Sequence, residues 1–128
     1  MALPSTLGIR HIALFVKSVA AAEAFYCGKL GYQVEWRPDA DNLYLTMNGQ
    51  DNLALHTAKA APSAETRLDH FGIILRKAAD VDAWYEHLKD HAKTAPKTHR
   101  DGARSFYAVD PDGNGLQFIH HPPIADKA

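Results

Sequence analysis

The sequence predicts an α+β protein made of two copies of one strand–helix–strand–strand–strand unit. The first observation is self-similarity at a fixed offset. A shift of 59 superimposes residues 11–17 on 70–76 and residues 20–26 on 79–85; a shift of 63 then superimposes 43–47 on 106–110 and 53–55 on 116–118. The second is that the apolar periodicity switches between strand-like and helix-like in the same order twice. The third is size: 128 residues, 46% hydrophobic and 23% charged, suit one soluble domain with its own core. We therefore expect a single domain over 1–128, with tandem βαβββ modules at 9–57 and 68–120 joined by a linker at 58–67.

Residues 9–17 and 68–76 are short runs rich in Ile, Val, Leu and Phe, and read as the first strand of each module. A helix follows each. Ala22, Phe25, Tyr26 and Leu30 form one face in the first copy, with Ser18 as N-cap and Gly31 as terminator. Val81, Trp84, Tyr85 and Leu88 fall at i, i+3, i+4 and i+7 in the second. Edge strands are expected at Gln33 to Arg37 and near Lys93 to Thr98, third strands at Leu43 to Met47 and Arg104 to Val109, and fourth strands at Asn52 to Thr57 and Gly115 to His120. Asn48-Gly49 and the Asp110 to Gly113 run are hairpin turns. The tail from Pro122 is expected to fray.

Alternation along the strands assigns sides. Ile12, Leu14 and Val16, with Phe71, Ile73 and Leu75, should pack under the helices, as should Leu53, Leu55, Leu116 and Phe118. His11, Ala13, Phe15, His56, His70, Gly72 and Gln117 then share the opposite surface. A single strand histidine is ordinarily structural. Two at repeat-related positions, His11 and His70, are a candidate ligand set.

Other features narrow the classes. One cysteine, Cys27, allows no intrachain disulfide and no zinc ribbon, which fits a reducing cytoplasm. Residues 1–8 lack a signal-peptide pattern, and no run reaches the ~18 apolar residues of a membrane span. With 14 basic against 15 acidic residues, no global field recruits nucleic acid. Eight histidines point to metal or proton chemistry. His87 and His91 share an i, i+4 spacing that reads as a solvent-facing pair, and Cys27 reads as a packing residue without an activating base. Lys97, His99, Arg100 and Arg104 gather before a strand, either as a solvated basic loop or as an anion clamp. Trp36 and Tyr44 suit an aromatic wall.

These residues together resemble the vicinal oxygen chelate superfamily: glyoxalase I, extradiol dioxygenases, fosfomycin-resistance thiol transferases and bleomycin-binding proteins. The resemblance rests on the Ile9 to Leu14 opening, Phe25-Tyr26 before Leu30-Gly31-Tyr32, the Leu68 to Gly72 opening, and Asp110 to Gln117. It implies modules whose mixed sheets curl into a cup, the glyoxalase/bleomycin resistance/dioxygenase fold, around a divalent ion (Mn, Fe, Zn or Ni). It implies His11, His70 and Gln117 as metal ligands, with Gln117 where a glutamate usually stands and Ala54 at the first module's counterpart. His56 lies two residues beyond Ala54, ~6.6 Å along the strand, and reads as a pocket wall.

A neutral amide binds a cation more weakly than a carboxylate, so dioxygenase chemistry on a facial triad is disfavoured. The stretch from Lys97 through Tyr107 to Gln117 looks most like the thiol transferases, in which residues matching Lys97 and Tyr107 hold substrate; Ala13 replaces their threonine. The expected substrate-binding set is His56, Lys97, Arg100, Arg104, Tyr107, Tyr44 and Trp36, with no catalytic base assigned. The resemblance implies a metal-dependent lyase, isomerase, transferase or dioxygenase acting on a small oxygen-chelating molecule, and a homodimer. The alternative is a metal-free binding or sequestration protein of the bleomycin-resistance kind; the histidine pair favours the enzyme.

Overall fold

The computed structural model describes residues 9–60 and 68–122, and its contacts divide the chain into two units, Met1–Pro62 and Ser63–Ala128. The predicted linker beyond residue 60, the first eight residues and the tail past Pro122 lie outside the described residues.

In the first unit the order is β1 (His11–Val16), α1 (Val19–Tyr26), β2 (Gln33–Asp39), β3 (Asn42–Thr46) and β4 (Asn52–Thr57). The strands form one sheet in the order β1-β4-β3-β2. β1 and β4 are parallel, and the other pairs are antiparallel. Leu14 and Val16 of β1, Leu43 and Leu45 of β3, and Leu53 and Leu55 of β4 are buried with Val19, Ala22, Phe25 and Tyr26 of α1. The period of two on the strands meets the helical stripe, which is why this helix and sheet bury each other.

Ser18, with extended backbone, accepts the Ala21 N–H at 3.1 Å and starts α1; such a cap contributes about 1 kcal/mol. The turns after Tyr26 run on to Gly31, whose φ of +86° admits a residue without Cβ, so the predicted terminator is in place. Buried Tyr32 packs edge-on against Tyr26, and burial, with Asp51 adding to it, pushes its phenol far above the usual tyrosine range. β2 is exposed along its whole length and carries Pro38, as suits an edge strand, and its pairing with β3 shifts register twice. Arg37 on β2 grips Glu23 on α1 through two bonds of 2.7 and 2.8 Å.

The second unit repeats the plan with β5 (Phe71–Ile74), α2 (Ala78–His87), β6 (Lys97–Thr98), β7 (Arg104–Val109) and β8 (Gly115–His120), in the sheet order β5-β8-β7-β6. Its core is more aromatic. Phe106 and Phe118 stack at 5.1 Å, Trp84 stacks on Phe118 at 5.6 Å, and Tyr85 meets Phe106 edge-on. β5 is shorter than its predicted run, so His70 stands one residue before the strand. β6 is reduced to two residues, and a 3-10 turn at Lys89–His91 takes up part of the chain that the second copy has in excess. That turn also revises the histidine pair: α2 ends at His87 and His91 falls in the 3-10 turn, so the two do not share one α-helical face. Among the described residues no helix is long and apolar enough to cross a membrane.

Candidate functional site

Each sheet has one face against its helix and one face away from it. On the away face of the first unit, the parallel pairing of β1 with β4 sets His11 beside Asn52, Ala13 beside Ala54 and Phe15 beside His56. His11 Nδ1 lies 2.7 Å from Asn52 Oδ1, and Asn52 Nδ2 donates to Glu35 Oε1 at 2.9 Å. A carbonyl oxygen only accepts, so the proton of the neutral ring sits on Nδ1 and Nε2 keeps its lone pair.

The other end of the same face is aromatic. Trp36 and Tyr44 stack at 5.0 Å, Tyr44 meets His56 edge-on at 5.9 Å, and Phe15 lies tilted to His56 at 6.4 Å. His56 Nδ1 is held by Asn42 Oδ1 at 2.6 Å. Trp36 is 58% and Phe15 68% exposed, so these rings offer apolar area to a ligand. Trp36, Tyr44 and His56 thus lie together within this unit.

In the second unit His70 Nδ1 lies 2.5 Å from the Asp69 carboxylate, which again fixes the proton on Nδ1 and leaves Nε2 as acceptor. Its ring stands edge-on to Tyr107 at 5.1 Å. Tyr107 pairs in register with Gln117, and Gln117 with Gly72. Gln117 Nε2 donates to the hydroxyl of buried Ser105 at 3.1 Å, and that hydroxyl lies 3.0 Å from His99 Nε2. With its amide nitrogen so engaged, Gln117 keeps Oε1 as an acceptor. Gly115 lets β8 approach this corner: a Cβ there would come within 2.9 Å of Asp69 O and 3.2 Å of His70 Cβ.

The basic cluster divides. Lys97 is opposite Ser105 in register and shares the Gln117 side, and Arg100 is exposed in the loop before β7. Arg104, expected beside them, is on the helix side of β7 with Phe106 and Ala108. There Nε and Nη2 bond Asp82 of α2 at 2.9 and 2.6 Å, and Nη1 bonds Thr98. The alternation of the strand places it there, and its charge serves the packing of α2. His120 Nδ1 is tied to Leu75 O at 3.1 Å. Burial, with Glu23 nearby, pushes the Cys27 thiol up, away from the thiolate form.

Sequence reasoning missed the oxygens that hold the imidazoles. Asp69 was visible as the neighbour of His70. Asn52 and Glu35 become visible only once β1 is known to pair with β4 and β2 to shift register.

The fold and these faces define a class: proteins of paired βαβββ units that display imidazole and amide donors on one side of each sheet. The chain belongs to the Glyoxalase/Bleomycin resistance protein/Dioxygenase superfamily, whose family model matches residues 8–118. It is 27% identical to the uncharacterized protein YaeR of Escherichia coli K12, an alignment covering 85% of this chain and 92% of that protein. It is also 27% identical to the catechol-2,3-dioxygenase of Bacillus subtilis, over 90% of this chain but only 42% of the dioxygenase, so it spans less than half of that relative. The crystal structure of a lactoylglutathione lyase from Agrobacterium tumefaciens superimposes with a TM-score of 0.76 at 21% identity, covering 91% of this chain and 96% of the other; that likeness shows the fold.

Proposed function

We propose that this protein is a divalent-metal-dependent enzyme for a small substrate with two adjacent oxygens, and that His11, His70 and Gln117 supply the protein's donors to the ion. One observation carries the reading: at both repeat-related histidines Nδ1 is engaged by an oxygen and Nε2 is left as acceptor, the tautomer that metal-binding histidines adopt. The set, two imidazoles and one amide oxygen, suits a divalent cation by donor type; among the described residues no group of three or more His, Cys, Asp or Glu is placed to hold one. The set is formally neutral, but Asp69 lies one hydrogen bond behind His70, and Glu35 lies two behind His11. These carboxylates return part of the negative charge that Gln117 lacks as a ligand.

A bound ion supplies Lewis acidity toward the substrate's oxygens. The chain's own groups bind and orient. Tyr107 brings a phenol to the His70 ring, Lys97 and Arg100 bring positive charge for an anionic substituent, and Trp36, Tyr44 and His56 offer a flat apolar surface. The exposed aromatic surface also suits metal-free sequestration of a planar ligand, the second reading.

Metal analysis of protein purified without chelator, then titration of the apo form with manganese, iron, zinc and nickel, separates the two. Stoichiometric metal whose affinity rises in Gln117→Glu supports the enzyme. No stoichiometric metal, with ligand binding indifferent to His70→Ala, rejects it.

A further inference from the structure

Glu35 lies on exposed β2 where the register with β3 shifts between Val34 and Trp36, and its carboxylate reaches across to Asn52. We propose that Glu35 is a positioning residue that decides which nitrogen of His11 carries the lone pair, acting through the Asn52 carboxamide. The inference rests on His11 being a ligand for its consequence, but not for its test.

The argument is donor and acceptor counting. A carboxylate only accepts, so the Asn52 atom 2.9 Å from Glu35 Oε1 is the NH2 group. With Nδ2 turned to Glu35, Oδ1 faces His11 Nδ1 at 2.7 Å. Oδ1 only accepts, so Nδ1 bears the proton and Nε2 is the acceptor. An unconstrained histidine favours the proton on Nε2, which would turn an N–H toward a cation. Remove the charge at 35 and the chain of constraint breaks: a glutamine there both donates and accepts, Asn52 is free to reverse, and its NH2 can donate to an unprotonated Nδ1. The second unit needs no such relay, because Asp69 contacts His70 directly.

The test is the tautomer of His11, read from ring ¹⁵N NMR shifts without metal at about pH 8.5, well above the ordinary histidine value. Nδ1–H in the wild type is expected to give way to Nε2–H in Glu35→Gln. It is expected to return in Glu35→Gln/Asn52→Asp, where a carboxylate addresses His11 directly. Nickel affinity should fall about 10-fold in the single variant and recover in the double. An unchanged tautomer in Glu35→Gln, or Nε2–H in the wild type, overturns the proposal. If the tautomer follows Glu35 while nickel binding ignores His11→Ala, the positioning role stands and the metal reading falls.

Discussion

The two units hold their first histidine at the same place in the plan and anchor it by opposite means. In the first, the residue before His11 is Arg10, which cannot accept a proton, and the anchor is the register partner Asn52. In the second, the residue before His70 is Asp69, which is itself the anchor, and the counterpart of Asn52 is Gly115, where a Cβ would crowd Asp69 and His70. Side chain and space are exchanged between the copies, and the imidazole ends in the same tautomer. The outcome, an Nε2 left as acceptor, is common to both copies, and the surrounding residues differ.

The same lesson appears on the helix side. Glu23 and Asp82 are repeat equivalents, and each is gripped by an arginine fork, but Arg37 comes from edge strand β2 and Arg104 from inner strand β7. The cores differ as well, with leucines under α1 and an aromatic stack of Phe106, Phe118 and Trp84 under α2.

The largest effect expected from these differences is in the core. Phe106→Ala opens the stack and should cost about 3–5 kcal/mol in urea unfolding, against about 2–5 for Leu43→Ala in the first unit. A loss under 1 kcal/mol at Phe106 would mean that the stack does not hold α2. Next come the anchors. Asp69→Ala should weaken divalent binding by about 10–100-fold, and Asn52→Ala should fall at the lower end of that range, because its bond to histidine is not charge-assisted. Equal losses would erase the distinction between the units.

The smallest effect is at acid pH. The hydrogen bond from Arg37 holds Glu23 below its ordinary 4.5, and that from Arg104 holds Asp82 below its ordinary 3.8. Each pair therefore adds stability above those ordinary values and loses it as pH falls through the lowered ones. Both carboxylates are solvent-screened, so the gain is small. Glu23→Gln and Asp82→Asn should each flatten the acid limb of a stability–pH curve; an unchanged limb would show that the forks add nothing.

Most of the fold was legible because it rests on short-range periodicity. Leu53 and Leu55, or Phe71 and Ile73, declare a face by alternation alone, and Val81 to Leu88 declare a helix. The strand period was also enough to put Arg104 with Phe106 and Ala108, away from Lys97; grouping it with the loop's other cations ignored that rule. The His11 anchor was not legible. It joins residues 41 apart through a parallel pairing, and its Glu35 support depends on a register shift that alternation cannot show. The histidines can be found from pattern, whereas the atoms that orient them require the pairing of strands.

The proposal that His11 and His70 are metal ligands is tested most directly by counting imidazoles on the loaded protein. Electron spin-echo modulation on manganese(II)-loaded protein should show two histidine nitrogens, with one lost in His11→Ala and the other in His70→Ala. Modulation from a single imidazole that survives either substitution, or from none, would contradict it.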